Sequence, residues 1–124
     1  MVDLSFSVQD ERFRGEVREF VRANLPADLA DKIQRGEYVS REDHMRWQTP
    51  LRKRGWLAPN WPVEHGGAGW DPIRRFIFDE ETSIAGAPRG NIPGIDLLGP
   101  ILLHFGSEEQ KAFYLPRILS GEHW

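Results

Sequence analysis

Apolar residues recur along this chain with a helical period, and no segment alternates as a half-buried strand does. Phe13, Val17, Phe20 and Val21 fall at i, i+4, i+7 and i+8, one stripe of an amphipathic helix. Ser7 and Asp10 form its start signal, and Asn24 and Pro26 its stop. Residues 27–39 are mixed and polar, broken at Gly36, and predict a short helix and a loop. A second strong helix starts at Ser40, with Asp43 three residues on, and runs to about Arg54 with Trp47 and Leu51 on one face. Pro50 predicts a kink or restart there, because proline cannot donate to the preceding turn. Arg52, Lys53 and Arg54 suit the negative end of a helix, and Gly55 its cap.

Residues 56–71 read as a loop rich in proline, glycine and tryptophan. Asp71 then caps a third helix with Pro72 at its first position; Ile73, Phe76, Ile77 and Ile84 are its expected apolar face, with Glu80 and Glu81 near it. Gly86, Pro88 and Gly90 break the chain. A fourth helix, Asp96 to Phe105, is apolar nearly all round, as in the centre of a bundle or the wall of a pocket. Gly106 suits a left-handed cap. Ser107 and Gln110 predict a capping box for a last helix, Glu108 to Leu119, with a kink at Pro116. The fold class is all-α, an orthogonal bundle of five to six helices, with residues 1–124 forming one domain.

Composition narrows the function more than it names one. The 16 basic and 19 acidic side chains are dispersed and sum to −3, which gives no basic surface for nucleic acid or an anionic membrane. Without cysteine there are no disulfides, thiolate nucleophiles or cysteine zinc sites. The start MVDLSFSVQDERF lacks the pattern of a signal peptide, and Leu97–Leu103 is too short to span a bilayer. A soluble, cytoplasmic protein is expected.

Few residues stand out as reactive. Gly66-Gly67-Ala68-Gly69 precedes a helix but lacks both the dinucleotide spacing and the Lys-Ser/Thr pair of a phosphate loop, so a packed turn is the stronger reading. His44, His65, His104 and His123 are scattered without metal-ligand spacing, and no G-x-S-x-G elbow occurs. Glu80 and Glu81 could act as a base, but a pair with an arginine of a neighbouring helix, the other carboxylate facing water, is the better account. Four of the five tryptophans lie between Trp47 and Trp70, where packing outweighs base stacking in the absence of a basic groove.

Two longer patterns are more specific. Gly55-Trp56-x-x-Pro59-x-Trp61-Pro62-x-Glu64-x-Gly66-Gly67-x-Gly69 resembles the joint between the second and third helices of the acyl-CoA dehydrogenases. FGSEEQKAFYLPRILSGE, Phe105 to Glu122, resembles the segment that closes their N-terminal helical domain. Both occur in the family's order, and nearly the whole chain looks like that domain.

The resemblance implies a flavoenzyme that removes the α-proton of an acyl-CoA with a glutamate and passes the β-hydride to FAD. It also implies an electron-transfer partner and a homo-oligomer for the complete enzyme. The stretch Asn91 to Ile101 matches the family's pocket-lining segment, so Ile92, Ile95, Leu97, Leu98 and Ile101 are the expected acyl-chain contacts. The S-E-P-G-A-G-S-D-like flavin segment, the β-domain, the C-terminal helices and the catalytic glutamate are not among these residues. No catalytic, flavin-binding or metal residue is therefore assigned to this chain, which by itself is expected to be inactive and to self-associate. A free-standing helical module that binds a partner or hydrophobic ligand is the alternative.

Overall fold

The structure, a computed structural model, describes residues 6–89 and 92–122. Gly90 and Asn91, placed by the sequence in the chain break and the pocket-lining stretch, lie outside the described residues, as do His123 and Trp124. Six α-helices and no strand occur among the described residues: α1 (Val8–Asn24), α2 (Ala27–Gln34), α3 (Arg41–Arg54), α4 (Pro72–Ala85), α5 (Gly99–Phe105) and α6 (Glu108–Ser120). A 3-10 turn covers Val63–His65, and a π-helix, Ile92–Leu98, runs directly into α5.

The helix starts follow local chemistry. Ser7–Asp10, Ser40–Asp43 and Ser107–Gln110 each form a reciprocal capping box, so two backbone donors that the first turn leaves unpaired are satisfied at each site. Asp71 accepts from the Arg74 amide and Pro72 opens α4. Gly55, at φ 81°, and Gly86, also at φ 81°, close α3 and α4 in the left-handed region.

Two apolar cores result. The larger joins Phe13, Val17 and Val21 of α1, Leu29 of α2, Trp47 and Leu51 of α3, Trp56, and Ile77 and Phe78 of α4. Its aromatic rings meet edge-on: Phe13 lies 5.9 Å from Trp56 and 5.1 Å from Trp70, and Trp56 lies 6.0 Å from Phe78. Such edge-to-face pairs contribute roughly 0.5–1.5 kcal/mol each beyond their buried area. The smaller core joins Ala58, Trp61, Ile95, Leu115 and Ile118. Polar ties lock the elements around the first. Arg14 donates to Glu81 at 2.6 Å and Glu80 at 2.9 Å, and Arg18 to Glu81 at 3.0 Å, clamping α1 to α4. Arg46 grips Asp28 with two bonds of 2.8 Å, and Lys32 reaches Asp43 at 2.8 Å, holding α2 on α3. Arg41 donates to the Gly121 carbonyl, joining α3 to the end of α6.

Three local expectations are corrected. The apolar face of α4 is Ile77 and Phe78 with Glu81, while Ile73, Phe76 and Ile84 are exposed. The reason is that α4 turns toward both α1 and the Trp56–Trp70 pair, so adjacent positions 77 and 78 are both covered. The fourth helix starts earlier than Asp96, as a π-helix at Ile92, with regular α-helix only from Gly99. Gly106 is extended, at φ −75° and ψ 152°, instead of left-handed; a Cβ there would meet the Leu102 carbonyl oxygen at 2.6 Å, so close approach, not positive φ, favours glycine. Pro50 and Pro116 sit inside helices that continue through them, so of the two outcomes expected for Pro50 the restart does not occur.

Candidate functional site

The expected pocket wall is held from behind by a tryptophan. Trp61, in the Pro/Gly/Trp joint and 3% exposed, donates from Nε1 to the Ile95 carbonyl at 2.9 Å. That bond satisfies a carbonyl of the π-helix, whose wider turn departs from the α-helical ladder. The same indole lies against Gly99, where an added Cβ would overlap its ring. Joint and wall are thus one unit: the sequence signals that were read separately meet at Trp61.

The five expected contact residues are not equivalent. Ile95 is buried. Leu97, Leu98 and Ile101 are 59%, 44% and 57% exposed, and Ile92 begins the π-helix. Ile95 points inward to the smaller core, while the other three present apolar surface outward, together with Phe105 and Phe113.

A cleft of about 630 Å³ opens between α3, α4 and the π-helix. Ile95 borders it, with Trp47, Leu51, Trp56 and Phe78 as further apolar walls. Its polar lining was not read from the sequence. Gln48 is 1% exposed, and neither its Oε1 nor its Nε2 has a hydrogen-bond partner. Thr82 and Ser83 border the cleft from α4, although Thr82 already donates to the Phe78 carbonyl. Asp79 and Asp96 face it from α4 and the π-helix. Desolvation raises the pKa of each carboxyl from its ordinary value; the Asp96 charge raises Asp79 further, while Arg75 opposes that shift and Arg89 opposes that of Asp96.

A second cleft, about 400 Å³, is bordered by Trp61, His65, His104 and Lys111. Among the described residues, no group of three or more His, Cys, Asp or Glu side chains could hold a metal ion. Glu81 is not poised as a base. Its hydrogen bonds to Arg18 and Arg14 lower its pKa despite burial, so it stays ionised and structural. Glu80 joins the same arginine and is partly exposed.

The glycine turn cannot cradle a phosphate in this conformation. A Cβ at Gly67 would overlap the Trp61 carbonyl, and one at Gly66, which has φ +100°, would meet Leu119 at 2.7 Å, so the chain's own atoms fill the turn. No helix among the described residues is long and apolar enough to cross a membrane.

The family model described as "Acyl-CoA dehydrogenase, N-terminal domain" matches residues 7–122. Acyl-CoA dehydrogenase FadE26 of Mycobacterium tuberculosis is 32% identical over 121 residues, covering 96% of this chain and 30% of the relative. Acyl-CoA dehydrogenase IpdE1 of Mycolicibacterium smegmatis is 38% identical over 117 residues, covering 90% of this chain and 30% of the relative. Among solved structures, the ChsE4-ChsE5 complex from Mycobacterium tuberculosis superposes with a TM-score of 0.78 at 30% identity, over 99% of this chain and 30% of that one. A structure titled "Tcur3481-Tcur3483 steroid ACAD" superposes with a TM-score of 0.74 at 33% identity, over 98% of this chain and 31% of that one. The chain therefore spans about 30% of the length of the relatives it matches.

Proposed function

Because the chain belongs to the acyl-CoA dehydrogenase family, we propose that it forms the helical N-terminal part of a cytoplasmic, flavin-dependent enzyme that introduces an α,β double bond into an acyl-CoA thioester. The observation that carries this reading is the Trp61 unit, in which the family's helix joint fixes the backbone of the pocket-lining segment. In this role the π-helix and α5 supply one wall of the acyl pocket. Ile95 sets its inner face, and Leu97, Leu98 and Ile101 present apolar surface, where each buried methylene contributes about 0.8 kcal/mol.

The residues present do not fit a flavin: the glycine turn is filled by the protein, and the described residues hold no strand. The FAD site, the proton-abstracting glutamate and the contacts to an electron-transfer partner belong, on this reading, to segments outside these residues. Flavin, where bound, supplies the hydride acceptor. The isolated chain is then inactive, and its uncovered apolar residues lead it to self-associate.

Two finer points follow from the structural neighbours. One of them is named as a steroid enzyme, which favours a bulky polycyclic acyl group over a straight chain. One is titled as a complex of two differently named proteins and the other carries a pair of names, which favours assembly with a second subunit over the homo-oligomer expected from the sequence. The test uses the complete polypeptide, alone and co-expressed with a candidate second subunit. Flavin absorbance is followed on adding a steroid side-chain CoA thioester or octanoyl-CoA. Bleaching by the steroid thioester is the expected result; a flavin-free protein, or bleaching by octanoyl-CoA alone, would overturn the proposal.

A further inference from the structure

Gln48 is the anomaly of this fold. A carboxamide has two donors and a carbonyl acceptor, and here all of them are buried without a partner. Leaving such groups unmade costs roughly 1–3 kcal/mol each, enough to be a large fraction of a small domain's stability. A leucine or methionine would pack the same place between Trp47 and Leu51 without that cost. The residue is nevertheless at the edge of the 630 Å³ cleft, whose other inner walls are Trp47, Leu51, Trp56, Phe78 and Ile95. The lining is mixed, with Asn60, Asp79, Thr82, Ser83, Arg89 and Asp96 beside these apolar walls, and within it Gln48 is the polar side chain that is both buried and unpartnered.

We propose that this cleft receives the oxygen-bearing end of a rigid apolar ligand, with Gln48 as the side chain that recognises its carbonyl or hydroxyl. Nε2 donates to a ketone; Nε2 and Oε1 together serve a hydroxyl, which both donates and accepts. Both amide atoms are buried, so contact with a ligand requires the side chain to turn about its torsions, the terminal one among them. That torsion is soft, and no hydrogen bond has to break for it to move. Thr82 is a poorer candidate because its hydroxyl is already committed to the Phe78 carbonyl. The ligand's identity as the far end of a polycyclic acyl group rests on the functional reading above; the oxygen recognition rests on the cleft alone.

Tryptophan fluorescence provides the readout, since Trp47 and Trp56 border the cleft. The probes are androstanone, its parent hydrocarbon androstane, and a linear ketone of similar carbon number, titrated into the 124-residue chain and its Gln48→Met variant. Androstanone is expected to bind about tenfold more tightly than androstane to the wild type, the equivalent of one net hydrogen bond. The Gln48→Met variant should lose that preference while binding androstane unchanged. Equal binding of ketone and hydrocarbon by the wild type, or quenching by none of the three probes, overturns the site without recourse to any variant. A preference that survives Gln48→Met overturns the assignment to Gln48. A Gln48-dependent preference shown only by the linear ketone supports the oxygen site and overturns the polycyclic reading.

Discussion

The half of the molecule built from α1, α3 and α4 and the half built from the π-helix, α5 and α6 differ in how much core they enclose: both leave apolar side chains exposed, Ile73, Phe76 and Ile84 on α4 among them, but the first holds the larger core. In the first, Val17, Trp47 and Ile77 are 0–2% exposed and an Arg14–Glu81–Arg18 cluster closes the seam between α1 and α4. In the second, Leu115, Ile118 and Ile95 are covered while Leu97, Leu98, Ile101, Phe105 and Phe113 are not. Both halves are rich in apolar residues, so hydrophobic content alone does not decide burial. The closed half is finished by its own aromatic rings. The open half is tied to the rest through Trp61 and through the Arg41 bond to the Gly121 carbonyl, and it leaves apolar side chains of the π-helix, α5 and α6 exposed.

Substitutions should separate the halves by size of effect. Trp47→Ala is expected to be the most damaging, at about 3–5 kcal/mol, because it empties the centre of the larger core. A urea midpoint within error of wild type would mean that this core does not carry the fold. Glu81→Gln comes next, at about 1–3 kcal/mol near neutral pH, since Arg18 and the buried Arg14 lose their shared charge while Glu80 still faces Arg14. The sign of its pH dependence follows from the lowered pKa of Glu81. The stabilisation is complete above the ordinary value of 4.5 and disappears as pH falls through the lower folded value. Melting curves of wild type and variant should therefore converge in acid; a constant gap would exclude a charge effect.

On the open side, Gly99→Ala drives a methyl into the Trp61 ring and should cost about 1–3 kcal/mol through overpacking. It should also shift the Trp61 emission, which an unrelated destabilisation below the melting range would leave in place. The smallest effect is reserved for Ile101→Ser and Phe105→Ser. Both side chains are mostly exposed, so stability should stay within about 0.5 kcal/mol of wild type. Binding of a hydrophobic dye should nevertheless fall. A large loss of stability in either variant would show that these residues are part of a core.

What was legible in the sequence follows the same division. Ser7–Asp10, Ser40–Asp43 and Ser107–Gln110 announce helix starts because a cap is made within four residues. The α1 stripe was readable because α1 has a single broad partner face, on α4 and the aromatic cluster; only Phe20 of its four residues remains partly exposed. Phe78 was missed because α4 serves two neighbours at once, and a one-face period selects Ile73, Phe76 and Ile84 in its place. Gln48 gave no signal: beside Trp47 it reads as the polar flank of α3, and its burial comes from chain contacts distant in sequence. The π-helix was equally hidden. The sequence places the helix start at Asp96, whereas the bond from Trp61 to the Ile95 carbonyl comes from 34 residues away. The family resemblance singled out the segment without indicating which of its residues face inward.

Amide hydrogen exchange on the 124-residue chain tests the contrast between the halves most directly, because it reports opening free energy residue by residue. Amides of α1, α3 and α4 are predicted to exchange only with global unfolding, while those from Ile95 to Phe105 exchange by local opening at lower free energy. Equal protection across both regions, or stronger protection of the π-helix and α5, would contradict the account of a closed core carrying an open wall.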